Sequence, residues 1–358
     1  MGYERPDNYI VKSTSYSDKA KTPVLTANKS FVLGYTDEDF GVYKNLPVII
    51  FDDFTTDSKF VDFPFKIKSS AIKILKEKRS DVDLRFFYAK MKSVNFPTGS
   101  HKRFYISQYQ NLEVLVPPFP EQQKIAEILG AVDEDIAKTQ EVIEATEKLK
   151  RGLMQQLFTR GIGHTKFKET KIGQIPEEWD VLSLEDISKN LDNKRIPITK
   201  SKRSTGQYPY YGATGIVDYV SDYIFEETLL LISEDGANLK DRNYPIAFTA
   251  TGKYWVNNHA HIQRFEDKFL QQYVQDYLNM LNLGPYLTGM TQPKLNKDRL
   301  FMIPIPKPKK TSEIKEIAEI LSAVDKKILV NKKLKEKLTL LKKGLMQDLL
   351  SGVVRTNI

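Results

Sequence analysis

The sequence predicts an α+β protein made of two repeated mixed α/β domains, each followed by a long helix. Three observations predict this fold: an internal repeat in the 358-residue chain, apolar stripes with helical period in both copies, and short strand-like runs upstream of each copy. The predicted domains are residues 1–118 and 161–310, and the predicted helices are residues 119–160 and 311–354. We expect the two helices to pair as an antiparallel coiled coil with pseudo-twofold symmetry.

The repeat is clearest in the helices. IAEILGAVD at residues 125–133 recurs as IAEILSAVD at residues 317–325, an offset of 317 − 125 = 192. LKRGLMQQL at residues 149–157 recurs as LKKGLMQDL at residues 341–349 with the same offset. Fainter matches upstream have offsets that drift between 186 and 190, as duplicated domains with different loops would show.

Each long helix has a narrow apolar stripe at steps of three and four residues, which is typical of a coiled-coil seam. Thr139 and Asn331 are equivalent polar positions in it, either tolerated or used to specify the register. Gly152 and Gly344 interrupt both helices; they indicate a close backbone approach or, alternatively, fraying. The predicted seam residues are Leu129, Val132, Ile136, Thr139, Leu149, Leu153, Leu321, Val324, Ile328, Asn331, Leu341 and Leu345.

The two domains are predicted to be mostly β-structure. VIIF at residues 48–51 and TLLLIS at residues 228–233 are short runs typical of buried strands. Residues 83–93 and 268–280 have helical spacing and correspond across the two halves. Each half is therefore predicted to be one copy of the same mixed domain.

Composition excludes several function classes. The chain has no cysteine, which rules out disulfides, thiolate zinc sites and cysteine catalysis. No apolar run approaches the roughly 18 residues of a membrane span, and the polar start predicts no signal peptide, so a cytoplasmic location is the default expectation. The 54 basic and 46 acidic residues give a net charge of +8, which permits a polyanionic partner.

A Pro-Pro-Phe sequence follows Val116 and resembles the core of an amino-methyltransferase active site. In such enzymes the preceding residue is Asn, Asp or Ser, whose side chain can hydrogen-bond the target amino group. Valine cannot form that bond, so the segment is interpreted as a rigid step between a domain and a helix.

Three segments together resemble the DNA specificity subunit of type I restriction–modification systems: PPFPEQQKIAEIL, LKRGLMQQLFTRGI and GQIPEEWDVLSLEDI. The resemblance implies a non-catalytic chain whose two domains each read half of a split double-stranded DNA site, with the helices setting their separation. It also implies docking of two methyltransferase subunits, later joined by endonuclease–translocase subunits. No cofactor is expected in this chain; S-adenosylmethionine, ATP and Mg would belong to the partner subunits.

One departure from a simple duplication concerns the start of the first domain. The second domain opens with IPEEW and roughly thirty further residues before YPYYGAT, whereas the first reaches the matching TPVLTAN at residue 22. The first copy is therefore expected to lack its opening segment or to arrange that element differently.

Loops rich in Lys, Arg, amides and hydroxyls recur at matching places in both halves, as phosphate and base contacts require. Charged loops are also common as plain solvated surface. The candidate DNA-binding residues are Lys200, Lys202, Arg203, Lys240, Arg242, Lys253, Asn257, Asn258, His259, Thr291, Gln292 and Lys294 in the second domain, and Lys66, Lys68, His101, Lys102 and Arg103 in the first.

The sequence was also searched for metal-binding, nucleotide-binding and nuclease motifs. A strand carrying His259 and His261 would point both rings the same way and could grip a metal, but a polar cluster near DNA is favoured over a metal site. Phosphate-binding and dinucleotide loops are missing from the sequence. Glu234 and Asp235 with Lys240 are the nearest approach to a nuclease set, at loose spacing. No catalytic residue is predicted, and the alternative function is a coiled-coil scaffold whose lobes bind protein.

Overall fold

The structure is a computed structural model that describes residues 1–28, 30–96, 103–289 and 291–356. The chain forms two compact units. Unit 1 consists of Met1–Gln140 together with Lys332–Ile358, and unit 2 consists of Glu141–Asn331. This division cuts both long helices, so each unit contains a part of each helix.

Unit 1 contains the first seven strands, one short helix and the first part of the first long helix. The long helix α2 begins at Phe119 and ends at Arg160, so its second part belongs to unit 2. The other elements are β1 (Gly2–Glu4), β2 (Thr22–Leu25), β3 (Val32–Thr36), β4 (Val48–Asp52), β5 (Ser58–Val61), β6 (Lys66–Ile67), β7 (Ile72–Lys76) and α1 (Leu84–Ser93).

Unit 2 contains the remaining strands and short helices. They are β8 (Phe167–Thr170), β9 (Gly173–Pro176), β10 (Asp180–Leu182), α3 (Leu184–Ile187), β11 (Lys189–Asn190), β12 (Thr205–Gly212), β13 (Gly215–Val220), β14 (Phe225–Glu226), β15 (Leu229–Ser233), α4 (Asn238–Asp241), β16 (Ala247–Ala250), β17 (Lys253–Val256), β18 (Ala260–Arg264), α5 (Lys268–Met280), α6 (Lys297–Phe301) and β19 (Ile305–Lys307). The second long helix, α7, runs from Thr311 to Ser351 and ends in unit 1.

The two units repeat the same sheets. An antiparallel sheet has the order β1-β7-β4-β5 in unit 1 and β11-β18-β15-β16 in unit 2. A second sheet pairs β2 with β3 antiparallel and with β6 parallel, and β12 pairs with β13 and β17 in the same two ways. The central strands β4 and β15 are buried along their whole length, which explains why both read as unbroken apolar runs. The predicted α+β repeat is therefore confirmed.

Unit 2 has two further pairings, β8 with β9 and β10 with β19. Their counterparts do not occur among the described residues of unit 1. The difference falls where the sequence of the first copy departs from that of the second.

The long helices pair antiparallel within each unit. In unit 1, Ile125 and Leu129 of α2 form a buried cluster with Leu349 and Leu350 of α7 and Phe86 of α1. In unit 2, residues of both helices belong to one large hydrophobic core: Met154, Leu157 and Phe158 of α2, and Ile314, Ile317 and Leu321 of α7. Among the described residues, no helix has both the length and the apolar character of a membrane span.

The predicted seam is wrong at Leu149 and Leu341, which are 56% and 52% exposed. Strict alternation of steps of three and four places their neighbours Lys150 and Lys342 in the stripe instead. Lys150 Nζ lies 2.7 Å from Asp325 Oδ2, and Lys342 Nζ lies 2.5 Å from the carboxylate of Asp133. The two ion pairs are equivalent under the repeat, since 342 − 150 and 325 − 133 both equal 192. A lysine suits this position because its alkyl stem packs while its ammonium reaches an acceptor.

The polar seam residues satisfy their own helices. Thr139 Oγ1 donates to Asp135 O at 2.7 Å, and Asn331 Nδ2 donates to Lys327 O at 2.8 Å. Both bonds reach back one helical turn, so they do not tie one helix to the other. The structure thus favours tolerance of these residues over register specification.

The close backbone approach expected at Gly152 and Gly344 is not present. A Cβ built at either position would meet no atom within 4 Å among the described residues. Neither glycine is therefore required by packing, and each costs helix stability.

We expect Gly152→Ala to stabilise unit 2 by about 0.5–1 kcal/mol, because alanine has the higher helix propensity and open space around it. The measurement is denaturant unfolding followed by tryptophan fluorescence, since both tryptophans of the chain, Trp179 and Trp255, lie in unit 2. The matched control is Gly161→Ala. Gly161 has φ +60° and a Cβ there would lie 2.5 Å from Glu313 Oε1, so this variant should be destabilised. A lower midpoint for Gly152→Ala would contradict the account.

Candidate nucleic-acid interface

A network of charges built around the buried His261 lies at one end of the β15–β18 sheet in unit 2. His261 is buried, with Nδ1 2.6 Å from Asp192 Oδ2 and Nε2 2.7 Å from the backbone oxygen of Leu295. Glu234 receives Arg195 Nη1 at 2.5 Å, and Lys294 Nζ lies 3.2 Å from its other oxygen. The ring thus bridges strand β18 to the segment that carries Lys294.

The cations of this network stabilise its two carboxylates in the ionised form. Burial alone raises the pKa of Glu234, but the hydrogen bond from Arg195 and the surrounding positive charges bring it below the ordinary value. Burial likewise opposes ionisation of Asp192, and the bond from His261 and its charge lower that pKa overall. Both carboxylates are therefore charged at neutral pH.

The same residues include a possible metal-binding set, because ligand atoms of Asp192, Glu234 and His261 lie within 4.8 Å of one another. The set does not fit a cation. Arg195 and Lys294 already compensate the carboxylates, and a carbonyl accepts from His261 Nε2, so a metal would have to displace the Asp192 hydrogen bond to reach Nδ1. The geometry instead favours a structural ion-pair network.

Three loops of unit 2 meet above this network, and we call their described residues the loop platform: 234–236, 257–259, and 288–289 with 291–295. The Glu234 amide donates to His259 O at 2.9 Å, and Glu234 O accepts from the Leu295 amide at 2.7 Å. Gly236 donates to Pro293 O at 3.0 Å, and Thr288 and Lys294 exchange two backbone bonds at 2.8 Å. Backbone bonding of this kind holds the loops in a defined arrangement.

The platform presents an imidazole, amides, a hydroxyl and an ammonium to solvent. His259 is 48% exposed, and its ring contacts Asp235 at 2.8 Å. Asn258, Thr291, Gln292 and Lys294 are also exposed. The Asn257 side chain is buried and accepts the His259 amide at 2.8 Å, so it shapes the loop from within. Amides, hydroxyls and cations are the groups that hydrogen-bond base edges and phosphates.

Unit 1 has the same arrangement at the equivalent strand ends. Lys73 stands opposite Phe51 in the ladder as His261 stands opposite Ile232, and Lys73 Nζ lies 3.3 Å from buried Asp53. The Asp53 backbone oxygen accepts from the Phe104 amide at 2.9 Å, as that of Glu234 accepts from Leu295. Arg103 therefore follows the same pattern as Lys294.

The other candidates of the first domain differ in accessibility. The prediction that Lys66 binds DNA is wrong. Its side chain is fully buried, 3.0 Å from Glu38 and 2.7 Å from Phe40 O, so it cannot reach DNA. Lys68 is exposed and donates to Tyr16 Oη at 2.8 Å. Arg103 is exposed on the surface. His101 and Lys102 lie outside the described residues.

The remaining candidates of unit 2 are not part of the loop platform. Arg203 follows the exposed Lys200 and Lys202 and is committed to Asp218 at 3.1 Å and to the ring of Tyr210. The pairing of Lys253 with Glu226 is looser, at 3.6 Å.

Lys240 and Arg242 lie on and directly after α4. Lys240 is exposed, whereas the Arg242 guanidinium donates to the backbone oxygen of Leu281, and burial lowers its pKa. Arg242 is therefore poorly placed to contact a phosphate. Lys240 also does not complete a nuclease-like set with Glu234 and Asp235. Glu234 is paired with Lys294 and Arg195, and Asp235 is paired with His259.

Sequence reasoning missed Arg195 and Asp192, which complete the network. It also placed the two histidines on one strand face, and that is wrong because β18 begins at Ala260, after His259. The rings consequently bind different carboxylates. One signal was present in the sequence: an acidic residue, Asp53 or Glu234, directly follows the buried central strand in each half of the repeat.

A family model described as "Type I restriction modification DNA specificity domain" matches residues 7–147 and 176–340. The EcoR124I/EcoR124II specificity subunit of Escherichia coli is 34% identical over 242 residues, covering 64% of this chain and 57% of that protein. A putative type I restriction enzyme specificity subunit of Haemophilus influenzae is 39% identical over 147 residues, 41% of this chain and 37% of its own length. The chain thus matches somewhat more than half the length of the first relative and little more than a third of the second.

Two further comparisons cover most of the chain. The MjaVIII specificity subunit of Methanocaldococcus jannaschii is 26% identical over 89% of this chain and 81% of its own length. The crystal structure of the type I restriction–modification S subunit from M. genitalium matches with a TM-score of 0.69 at 16% identity, covering 98% of this chain and 93% of that one. At that identity the likeness concerns the fold.

We expect Glu234→Gln to destabilise unit 2 by about 3 kcal/mol, because Arg195 and Lys294 would lose a buried counter-charge. Lowered folded-state pKa values mean that the stabilisation is present above the unfolded pKa values and is lost as pH falls through the folded ones, so the wild type should weaken below about pH 4. The variant should lose less stability than the wild type as the pH falls over that range.

The readout is tryptophan-monitored unfolding between neutral pH and acid. Glu226→Gln is the matched control, since its pair with Lys253 is exposed to solvent and should contribute little to stability. Equal stability of Glu234→Gln and wild type at neutral pH would show that the network does not hold the platform.

Proposed function

Since the chain belongs to the family of type I restriction–modification DNA specificity domains, we propose that it is the DNA-reading subunit of such a system. In this proposal each unit reads one half of a bipartite double-stranded site. The chain itself carries out no methyl transfer or cleavage. Val116 lacks the polar side chain expected before a catalytic Pro-Pro-Phe sequence, and the acidic residues of the platform are occupied by ion pairs.

The observation that carries the proposal is the loop platform and its recurrence. An acid–base pair, buried in unit 1 and partly buried in unit 2, supports a basic loop at the same strand ends: Asp53 with Lys73 below Arg103, and Glu234 with His261 below Lys294. A hydrogen-bonded scaffold whose exposed side chains differ between the two units suits direct readout of base edges. Two equivalent readers in one chain suit a site with two half-sites.

The proposed partners are duplex DNA, two methyltransferase subunits and endonuclease–translocase subunits. S-adenosylmethionine, ATP and Mg²⁺ would then be bound by those partners. The exposed faces of α2 and α7 outside the seam are the proposed docking surface for the methyltransferase subunits. The scaffold alternative predicts no salt-dependent affinity for DNA, which separates the two readings.

We expect Lys294→Gln to weaken binding to all duplexes and to reduce the slope of log affinity against log salt by about 0.9, as loss of one phosphate contact requires. In contrast, His259→Ala and Gln292→Ala should weaken binding to the target by about 1–3 kcal/mol and leave non-target binding unchanged. Lys171→Gln, which changes an exposed lysine in the turn between β8 and β9, is the control for a charge outside the platform.

Binding is measured by fluorescence anisotropy on the chain with its methyltransferase subunits, and the target is first identified by mapping methylated sites in the host genome. If all three platform variants bind target and non-target DNA like the wild type, the platform is not the reader. If neither wild type nor Lys294→Gln shows a salt-dependent affinity, the scaffold reading replaces the proposal.

A further inference from the structure

The backbone of His259 is fixed although its ring lies at the surface of the loop platform. Its amide donates to Oδ1 of the buried Asn257 at 2.8 Å, and its carbonyl oxygen accepts from the Glu234 amide at 2.9 Å. Asn257 directly follows β17, and Glu234 directly follows β15, so both partners stand at strand ends. The side chain is 48% exposed and projects from a defined backbone position.

Asp235, which contacts this ring, is fixed in the same way. The residues before and after it bond through their backbones to the segment 293–295, at 2.7 and 3.0 Å. Its side chain is 19% exposed, and its two carboxylate oxygens lie 2.8 and 3.0 Å from His259 Nδ1. The carboxylate therefore constrains the orientation of the ring.

This contact decides which ring nitrogen of His259 carries a proton. An ionised carboxylate has no hydrogen to donate, so Nδ1 is the donor. In the neutral ring, Nε2 then has a free lone pair and is an acceptor. Among the residues that the structure describes, His259 Nε2 has no hydrogen-bond partner, whereas both ring nitrogens of the buried His261 are bonded. His259 thus offers an unused acceptor to solvent in a direction that Asp235 sets.

The pair is not needed to hold the loops together. The backbone bond that His259 O accepts recurs in unit 1, where the Asp53 amide donates to Ala71 O at 3.0 Å. Ala71 therefore matches His259, and Phe54, the residue after the strand-end acid, matches Asp235. The loops of unit 1 close with these two apolar residues in place of the pair. Since ion pairs at the surface also contribute little to stability, folding does not account for the pair.

A fixed acceptor complements only some base edges. In the major groove, adenine presents its N6 amino group and cytosine its N4 amino group as donors. Guanine presents two acceptors there, and thymine presents an acceptor and a methyl group. An acceptor held at the surface of a DNA reader therefore favours adenine or cytosine at the position that it faces.

We propose that His259 Nε2 accepts a hydrogen bond from an exocyclic amino group, N6 of adenine or N4 of cytosine, in the half-site that unit 2 reads. Asp235 is the positioning residue that orients the ring and does not itself contact the base. This inference rests on the proposed DNA-reading function and adds the class of base that the platform recognises. Unit 1, with Ala71 and Phe54 at these positions, cannot read its half-site by the same contact.

The test removes single amino groups from the target duplex. Purine replaces adenine, or 2-pyrimidinone replaces cytosine, at one position at a time, and a third series replaces guanine by 2-aminopurine, which lacks O6. Binding is measured by fluorescence anisotropy on the chain with its methyltransferase subunits. We expect one amino-group deletion to weaken wild-type binding about tenfold and to leave binding by His259→Ala almost unchanged.

Weakening of the base pair itself affects both proteins equally, so the comparison isolates the contact. The base at which the difference occurs distinguishes adenine from cytosine.

The positioning role is tested with Asp235→Ala in the same assay. This variant should lose most of the tenfold discrimination, because the ring is then free to rotate and to change its tautomer. Asp222→Ala, which removes an exposed carboxylate of unit 2 outside the platform, should discriminate like the wild type. Both variants should unfold at the wild-type denaturant midpoint, which separates loss of orientation from loss of folding.

Three results would contradict the inference. If every amino-group deletion weakens His259→Ala as much as the wild type, Nε2 reads no amino group, although the DNA-reading function stands. If the difference occurs at 2-aminopurine instead, Nε2 donates to guanine. If Asp235→Ala discriminates like the wild type, Asp235 does not orient the ring. Absence of salt-dependent DNA binding by the wild type would instead reject the proposed function together with this inference.

Discussion

Each unit depends on the antiparallel packing of a part of α2 against a part of α7. Neither part buries its apolar stripe alone, and in unit 1 the partner of Ile125 and Leu129 comes from residues more than two hundred positions later. The equivalent ion pairs Lys150–Asp325 and Lys342–Asp133 place a lysine at a seam position in both units. A half-buried charge needs its partner, so these pairs favour one register over a slipped one.

Charges are also paired at the strand ends. Buried charge is costly unless it is paired, and each unit keeps an acid–base pair under the loops that carry its exposed polar residues. In unit 2 the network also ties Arg195 and Lys294 to the strands. The loops can then differ in sequence between the units while their anchoring stays the same, which is what the proposed reading of two different half-sites requires.

The repeat made the long helices predictable, because an ungapped offset of 192 joins residues 125–157 to residues 317–349. Individual seam positions were harder, since Leu149 is more apolar than Lys150 but lies on the outer face. The pairing of Asp53 with Lys73 could not be read from spacing, because it depends on strand register. Burial of Lys66 had the same cause: its loop-like sequence is strand β6 against β2, with Glu38 as partner.

Hydrogen–deuterium exchange of the chain with its target duplex would show whether the loop platform reads DNA. We expect slower amide exchange at residues 234–236, 257–259 and 291–295 with target DNA, a smaller effect with non-target DNA, and no change at residues 238–242. Protection of residues 238–242 or 200–203, with the platform unchanged, would contradict it.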